Sequence, residues 1–143
     1  MLDPSVVRLH AEACSIAMFI GMHAESPTAP YVPTAASEAR RRCLGSICIG
    51  DRSAATFTGR PPLLSRRYIS TPLPLDLPDD IFMSGPAAVA AAVARLDPEG
   101  WNTDNKIYST TVLRARTNLS YIKDAIVETT LGHMQDRSIE TLL

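Results

Sequence analysis

Proline is the residue that most limits how this chain can fold. All eleven prolines lie within the first 98 residues, and eight of them fall in the segments 27–33 and 61–78. Proline lacks a backbone N–H and its ring clashes with the preceding turn, so neither segment can be a continuous α-helix. The sequence is therefore divided into stretches that can be helical and connectors that cannot.

Hydrophobic periodicity predicts three long helices. Apolar residues recur at spacings of three and four over about 4–22, 36–58 and 104–131, which is the pattern of a helix with one buried face. Asp3 is suited to cap the first helix because its side chain can accept from the free N–H groups of the first turn. Gly59 is suited to end the second helix, because glycine adopts the left-handed conformation without cost.

The last predicted helix has the most regular apolar series of the chain. Because residues at these spacings share one face, we expect this face to lie in the core, and Leu119→Ala or Ile122→Ala to cost about 2–5 kcal/mol. Gly132 is the predicted stop. The series consists of Tyr108, Val112, Ala115, Leu119, Ile122 and Ile126.

The connectors complete an all-α fold class. In residues 60–80, leucine, isoleucine and tyrosine alternate with polar residues or prolines, which predicts an extended strap packed along helices. The alanine-rich segment 81–100 is compatible either with a short helix from Pro86 to Leu96 or with an irregular insert. No pair of strands with hairpin punctuation is visible. We therefore expect helices joined by proline-rich loops and an extended strap.

Composition excludes several functions. The formal net charge is −1, whereas a chain that binds nucleic acid by itself normally has a basic excess to neutralise phosphates. No uncharged small or apolar run, such as residues 86–94, reaches the roughly 20 residues of a membrane helix. The N-terminus has no basic and then apolar segment typical of secretion. Three cysteines do not make a disulfide framework.

The triplet Arg40, Arg41 and Arg42 has two interpretations. It could contact phosphate, or it could serve its helix in three different directions. Successive helical residues point about 100° apart, so the three side chains cannot face one groove. Together with the near-neutral total charge, this favours structural roles, including ion pairing with Asp51 or a nearby carboxylate.

Asp51 is unusual because it falls on the apolar stripe of the second helix. A charge in this position can mark a catalytic acid, but no second carboxylate or histidine stands beside it at helical spacing. We therefore expect an interior ion pair or a cap for neighbouring backbone.

No catalytic, cofactor-binding or metal-binding residues are expected in this chain. The only fragment that resembles a metal motif is His10-Ala11-Glu12, and zinc deaminases need a later P-C-x-x-C that is missing here. The three histidines are scattered, and no Ser-His-Asp order or glycine-rich phosphate loop can be defended. We do not expect an enzyme.

Several motifs together resemble a known family. The run 40–52 (RRRCLGSICIGDR) is followed by Gly59-Arg60-Pro61-Pro62 and by the strap 69–74 (ISTPLP), and it is preceded by the segment 20–23 (IGMH). Their order, with residues 100–108 (GWNTDNKIY), is similar to the regulatory, or middle homology, domain of fungal zinc-cluster transcription factors. The family usually has tryptophans after the arginines, where Leu44 and Gly45 stand here. Two mid-helix glycines, the second being Gly50, each disfavour the helix by about 1 kcal/mol relative to alanine.

The resemblance implies both a fold and a function. It implies that residues 1–143 are part of a larger helical domain, which acts in RNA polymerase II transcription in the nucleus. The six-cysteine zinc cluster of the family is absent from this sequence, so DNA would be contacted, and zinc bound, only through a missing module. Protein partners or a small-molecule effector are further expectations, and a membrane is not. The alternative is a stand-alone helical ligand-sensing or protein-interaction module without DNA binding.

Overall fold

The computed structural model describes residues 3–25 and 31–131. Within these ranges the chain is helical and contains no strand, which confirms the all-α class. Two single 3₁₀ turns, Arg66–Tyr68 and Asp79–Met83, lie in the connection between the second and third helices. The α-helices are α1 (Pro4–Phe19), α2 (Ala35–Thr58), α3 (Pro86–Val93) and α4 (Ser109–Leu131).

The helix ends follow local capping chemistry. Asp3 caps α1 by accepting from the N–H of Ser5. Thr34 begins α2 through a capping box with Ser37, in which each side chain accepts from the other's backbone N–H. Gly59 ends α2 in the left-handed conformation, with a φ of 65°. The caps that the sequence indicated for the start of α1 and the end of α2 are therefore confirmed.

Two helices are shorter than their periodicity predicted. α1 ends at Phe19, because Gly21 turns left-handed at a φ of 70° and the N–H of Met22 bonds back to Ala17. α4 begins at Ser109 and not near residue 104, because Asn105 has a positive φ and breaks the helical path. The predicted stop at Gly132 lies outside the described residues.

The segment that the sequence left open is ordered and partly helical. Pro86 stands at the start of α3, where its missing N–H costs nothing. After α3, the N–H of Asp97 bonds to the carbonyl of Trp101, which closes a turn that leads into α4. A short helix rather than an irregular insert is therefore found.

Helix α2 is the central element because it contacts both α1 and α4. The strap adds to this core from one side. The buried apolar cluster is formed by Cys14, Ala17, Met22, Leu44, Cys48, Leu64 and Ile69.

The prediction that the apolar face of α4 lies in the core is wrong. Leu119, Ile122 and Ile126 are all more than half exposed. The buried face is the polar one, because its hydroxyls donate to backbone carbonyls of α4 or, from Thr110, of Leu77 in the strap. Its charged groups also have partners. Periodicity identifies residues that share a face, but it does not say which face is covered. The buried residues are Thr110, Arg114, Thr117, Ser120, Asp124 and Val127.

This correction changes the expected effect of the substitution. Leu119→Ala should alter the free energy of unfolding by less than about 0.5 kcal/mol, as surface changes usually do. Urea denaturation of the wild-type and variant chains measures it. A loss of about 2 kcal/mol or more would place Leu119 in a core after all.

Helix α1 also leaves apolar side chains exposed. Its outer residues, including Leu9 and Ile16, lie away from α2, and only Cys14 and Ala17 of this helix are buried. None of the described helices combines the length and apolar character that crossing a bilayer requires. Exposed apolar side chains therefore lie on both α1 and α4.

Gly45 sets how closely α2 and α4 approach each other. A Cβ atom at this position would lie 2.7 Å from Oγ1 and 3.4 Å from Cγ2 of Thr117. Because both branches of this short side chain are close, rotating it does not make room. Gly45 is thus a packing requirement and not simply a weak point in the helix.

We therefore expect Gly45→Ala to destabilise the fold by about 1–3 kcal/mol through overpacking, although alanine favours the helix by about 1 kcal/mol. Gly50→Ala is the matched control, because its Cβ would meet only the edge of the partly exposed His10 ring, at 3.2 Å. This control should be neutral or stabilising. Thermal denaturation compares the two, and adding Thr117→Ala should rescue Gly45→Ala. Equal effects at the two glycines would contradict the packing role.

Candidate functional site

Two buried carboxylates of α2 bind the backbone of the strap. Asp51 accepts from the N–H of Leu63 at 3.0 Å and from that of Leu64 at 2.9 Å. Glu38, which is also buried, accepts from the N–H of Leu75 at 2.8 Å. A proline-rich strap cannot pair its amides in a helix or sheet, so these carboxylates satisfy donors that would otherwise be buried without partners. Of the two roles left open for Asp51, backbone capping and ion pairing are both found.

The ion pair of Asp51 extends to α4. Arg52 lies with its Nη1 atom 3.3 Å from Asp51 Oδ2 and its Nε atom 3.4 Å from Asp124 Oδ1. The Arg52 side chain is fully buried, and both carboxylates are almost fully buried. Such a guanidinium between two carboxylates links α2 to α4 by charge as well as by packing.

The arginine triplet divides among three directions, as its helical spacing predicted. Arg40 donates to the carbonyl of Gly21, and Arg42 pairs with Asp79. Arg41 is buried, and it pairs with two carboxylates and lies 3.9 Å from the centre of the Tyr31 ring. The structural interpretation of the triplet is therefore confirmed, since each guanidinium has a partner within the chain.

Glu25 gives the Arg41 network a dependence on pH. The hydrogen bond from Arg41 is the main cause that lowers the pKa of Glu25 below its ordinary value of 4.5. The resulting stabilisation is fully present above that ordinary value and is lost as the pH falls through the lower pKa of the folded state. The stabilisation by the pair of Arg41 and Glu25 should therefore disappear at acid pH.

We expect Glu25→Gln to lower the free energy of unfolding by about 1–3 kcal/mol at neutral pH, as for other hydrogen bonds to charged groups. The difference from wild type should shrink between about pH 5 and about pH 3. Urea denaturation across this range measures it. Glu12→Gln is the control, because Glu12 forms only an exposed pair with Arg8 at 3.5 Å. A difference that stays constant with pH would argue against the pairing.

Arg114 is a structural residue that the sequence did not indicate. It is buried, donates to the carbonyls of Pro74 and Glu99, and lies 4.8 Å from the centre of the Trp101 ring. Burial is the main cause that lowers the pKa of Arg114. In the sequence, Arg114 stands two residues after Val112 in the apolar series of the last predicted helix. A single arginine at that position is equally compatible with an exposed side chain, so the sequence did not indicate burial.

An apolar groove lies between the segment before α2 and helix α3. Its volume is about 480 Å³, which is within the roughly 300–1,000 Å³ of small-molecule sites. The sequence does not indicate this groove, because it exists only where two distant segments meet. The residues that line it include Tyr31, Val32, Pro33, Phe82, Val89 and Val93.

The fragment His10-Ala11-Glu12 does not act as a unit. Glu12 points to the surface, whereas the imidazole of His10 turns toward Cys14 and Asp51. Burial, and then the charge of Asp51, raise the pKa of Cys14 to about 11. Helical spacing of four indicated the contact between His10 and Cys14, but nothing in the sequence indicated the contact with Asp51.

These features define an all-helical domain whose buried charged side chains bind other groups of the same chain and hold its elements together. A comparison with protein families gives the same picture: residues 3–140 match the model of the fungal specific transcription factor domain. The match covers nearly the whole chain, and the chain belongs to this family. It is a regulatory, middle homology region of transcription factors and not an enzyme family, and membership implies a nuclear protein. No curated protein and no solved structure matched the chain.

Proposed function

We propose that this chain is the regulatory region of a regulator of RNA polymerase II transcription, in which a separate zinc-cluster module contacts DNA. The observation that carries the proposal is the internal use of the arginine triplet. Arg40, Arg41 and Arg42 bind a carbonyl and carboxylates of the chain itself, so they are not available to neutralise phosphates. The net charge of −1 also supports DNA contact by a module other than this chain.

The cysteines also support a separate module for zinc and DNA. The family's cluster needs six cysteines, and this sequence has three. Cys43 is exposed, whereas Cys14 and Cys48 are buried. These residues do not fit that cluster, and no step of the proposed function runs through it in this chain.

The first experiment measures DNA binding by the 143-residue chain. Fluorescence anisotropy with a random duplex at low and at physiological salt should detect no salt-dependent affinity. A chain that neutralises several phosphates would instead lose affinity steeply with salt, with a logarithmic slope of about −0.9 per phosphate. Such a slope would contradict the proposal.

A second experiment tests the regulatory role directly. The chain is fused to an unrelated DNA-binding domain and assayed on a reporter gene, and we expect a change in transcription relative to that domain alone. Asp51→Asn, which should strongly destabilise the fold, is the control that should weaken the effect. An unchanged reporter would argue against a regulatory role for this region.

The apolar groove favours a second candidate, a ligand-sensing or interaction module without DNA binding. An apolar effector of small size would fit its volume and lining. Ala90 lines the groove and is exposed, so Ala90→Trp should fill it without disturbing the core. Ala91→Trp, on the same helix but outside the lining, is the matched control. Thermal-shift screening with uncharged apolar compounds should give hits that only Ala90→Trp removes.

A further inference from the structure

A histidine, a cysteine and an aspartate from two helices meet at the edge of the α1–α2 interface. The Nε2 atom of His10 lies 3.4 Å from Cys14 Sγ and 3.6 Å from Asp51 Oδ1. All three potential ligand atoms lie within 4.8 Å of one another. His10 and Cys14 stand four residues apart on α1, so they share one face of that helix. Asp51 approaches from α2.

The two distances from His10 Nε2 are close to those between ligand atoms that share one metal ion. Zinc bonds of about 2.0 Å to nitrogen and oxygen and about 2.3 Å to sulfur, at tetrahedral angles, place neighbouring ligand atoms roughly 3.3–3.5 Å apart. The contact between His10 and Asp51 is too long for a hydrogen bond. One imidazole nitrogen faces both other groups, and a single proton on it cannot serve both well.

We propose that His10, Cys14 and Asp51 form a Zn²⁺ site, with water as the fourth ligand. A set of one nitrogen, one thiolate sulfur and one carboxylate oxygen suits zinc and disfavours the hard ions Mg²⁺ and Ca²⁺. The thiolate and the carboxylate together neutralise the charge of the ion.

The surroundings of these three residues leave an ion access from solvent. They also hold the ligand side chains in place. The His10 side chain is 23% exposed, which leaves an approach from solvent, whereas the Asp51 side chain is only 3% exposed. Asp51 is oriented by the N–H groups of Leu63 and Leu64, and Arg52 approaches the other carboxylate oxygen. Fixed outer partners of this kind orient a ligand for the metal.

The bound ion would join α1 to α2. Helix α1 contributes only Cys14 and Ala17 as buried residues, so few of its side chains pack against the rest of the fold. A metal bond between the helices would stabilise the folded state by binding it in preference to the unfolded chain. The site shares no arrangement with a six-cysteine cluster, and it is independent of any role in transcription.

The experiment uses the full 143-residue chain, stripped of metal with a chelator and titrated with Co²⁺ as a spectroscopic substitute for Zn²⁺. We expect one ion per chain, with a thiolate-to-cobalt charge-transfer band and tetrahedral ligand-field bands, all displaced by Zn²⁺. Saturating Zn²⁺ should raise the Tm by about 5 °C or more.

Variants assign the ligands. Cys14→Ser should remove the charge-transfer band, and both Cys14→Ser and His10→Gln should weaken metal binding by at least about tenfold. Cys43→Ser is the matched control, because Cys43 is an exposed thiol of α2 and should leave the band and the affinity unchanged.

The proposal would be overturned if the wild-type chain gave no stoichiometric cobalt spectrum, or if the charge-transfer band persisted in Cys14→Ser. Because His10 is partly exposed, His10→Gln should fold even if Cys14→Ser does not, and circular dichroism of the metal-free variants checks this. Undiminished affinity in a folded His10→Gln chain would equally exclude the site.

Discussion

Asp51→Asn should reduce the free energy of unfolding by about 3–5 kcal/mol, the cost of breaking a buried charged network. The carboxylate accepts from two strap amides and also faces Arg52. An amide side chain has one oxygen, so its NH₂ group would face one of these backbone N–H groups, donor against donor. The strap would lose its anchor on α2, and the guanidinium would lose part of its counter-charge.

Thermal and urea denaturation in the presence of a chelator measure this loss without any contribution from metal. For a chain of this size, the Tm should fall by about 10 °C or more. Asp80→Asn is the matched control, because Asp80 is exposed, and it should cost less than about 0.5 kcal/mol. If the two variants were equally stable, the carboxylate of Asp51 would not anchor the strap.

Arg52→Met should also cost about 3–5 kcal/mol, for a different reason. The substitution keeps apolar volume but leaves the carboxylate of Asp124 buried, at 5% exposure, without its cationic partner. Adding Asp124→Leu removes this unpaired charge, whereas Asp51 loses its cation but keeps the N–H groups of Leu63 and Leu64. The double variant should therefore recover part of the lost stability. The two substitutions are thus expected to be strongly non-additive.

A complete double-mutant cycle by urea denaturation measures the coupling between Arg52 and Asp124. The surface pair of Arg67 and Glu128, at 3.5 Å, is the control. Both of its side chains are more than half exposed, so Arg67→Met should change stability by less than about 0.5 kcal/mol. A double variant no more stable than Arg52→Met would show that the buried pair does not act through charge.

The candidate site could be predicted in part. The split of the arginine triplet follows from helical geometry alone, because successive residues point in different directions. The interior role of Asp51 followed from a charge on an apolar stripe, yet its partners, the amides of Leu63 and Leu64, could not be named. Those partners are 12 and 13 residues away on a strap with no periodic signal that would fix its register.

The sequence by itself determined the helical class, the proline-rich connectors and the caps at Asp3 and Gly59. These depend on interactions between near neighbours, which every copy of the same local sequence makes. The tertiary structure decided which face of α4 is covered, why Gly45 must be glycine, and where His10, Cys14 and Asp51 meet. Each of these depends on which distant surfaces come together, because burial is a property of the pair of surfaces and not of either helix alone.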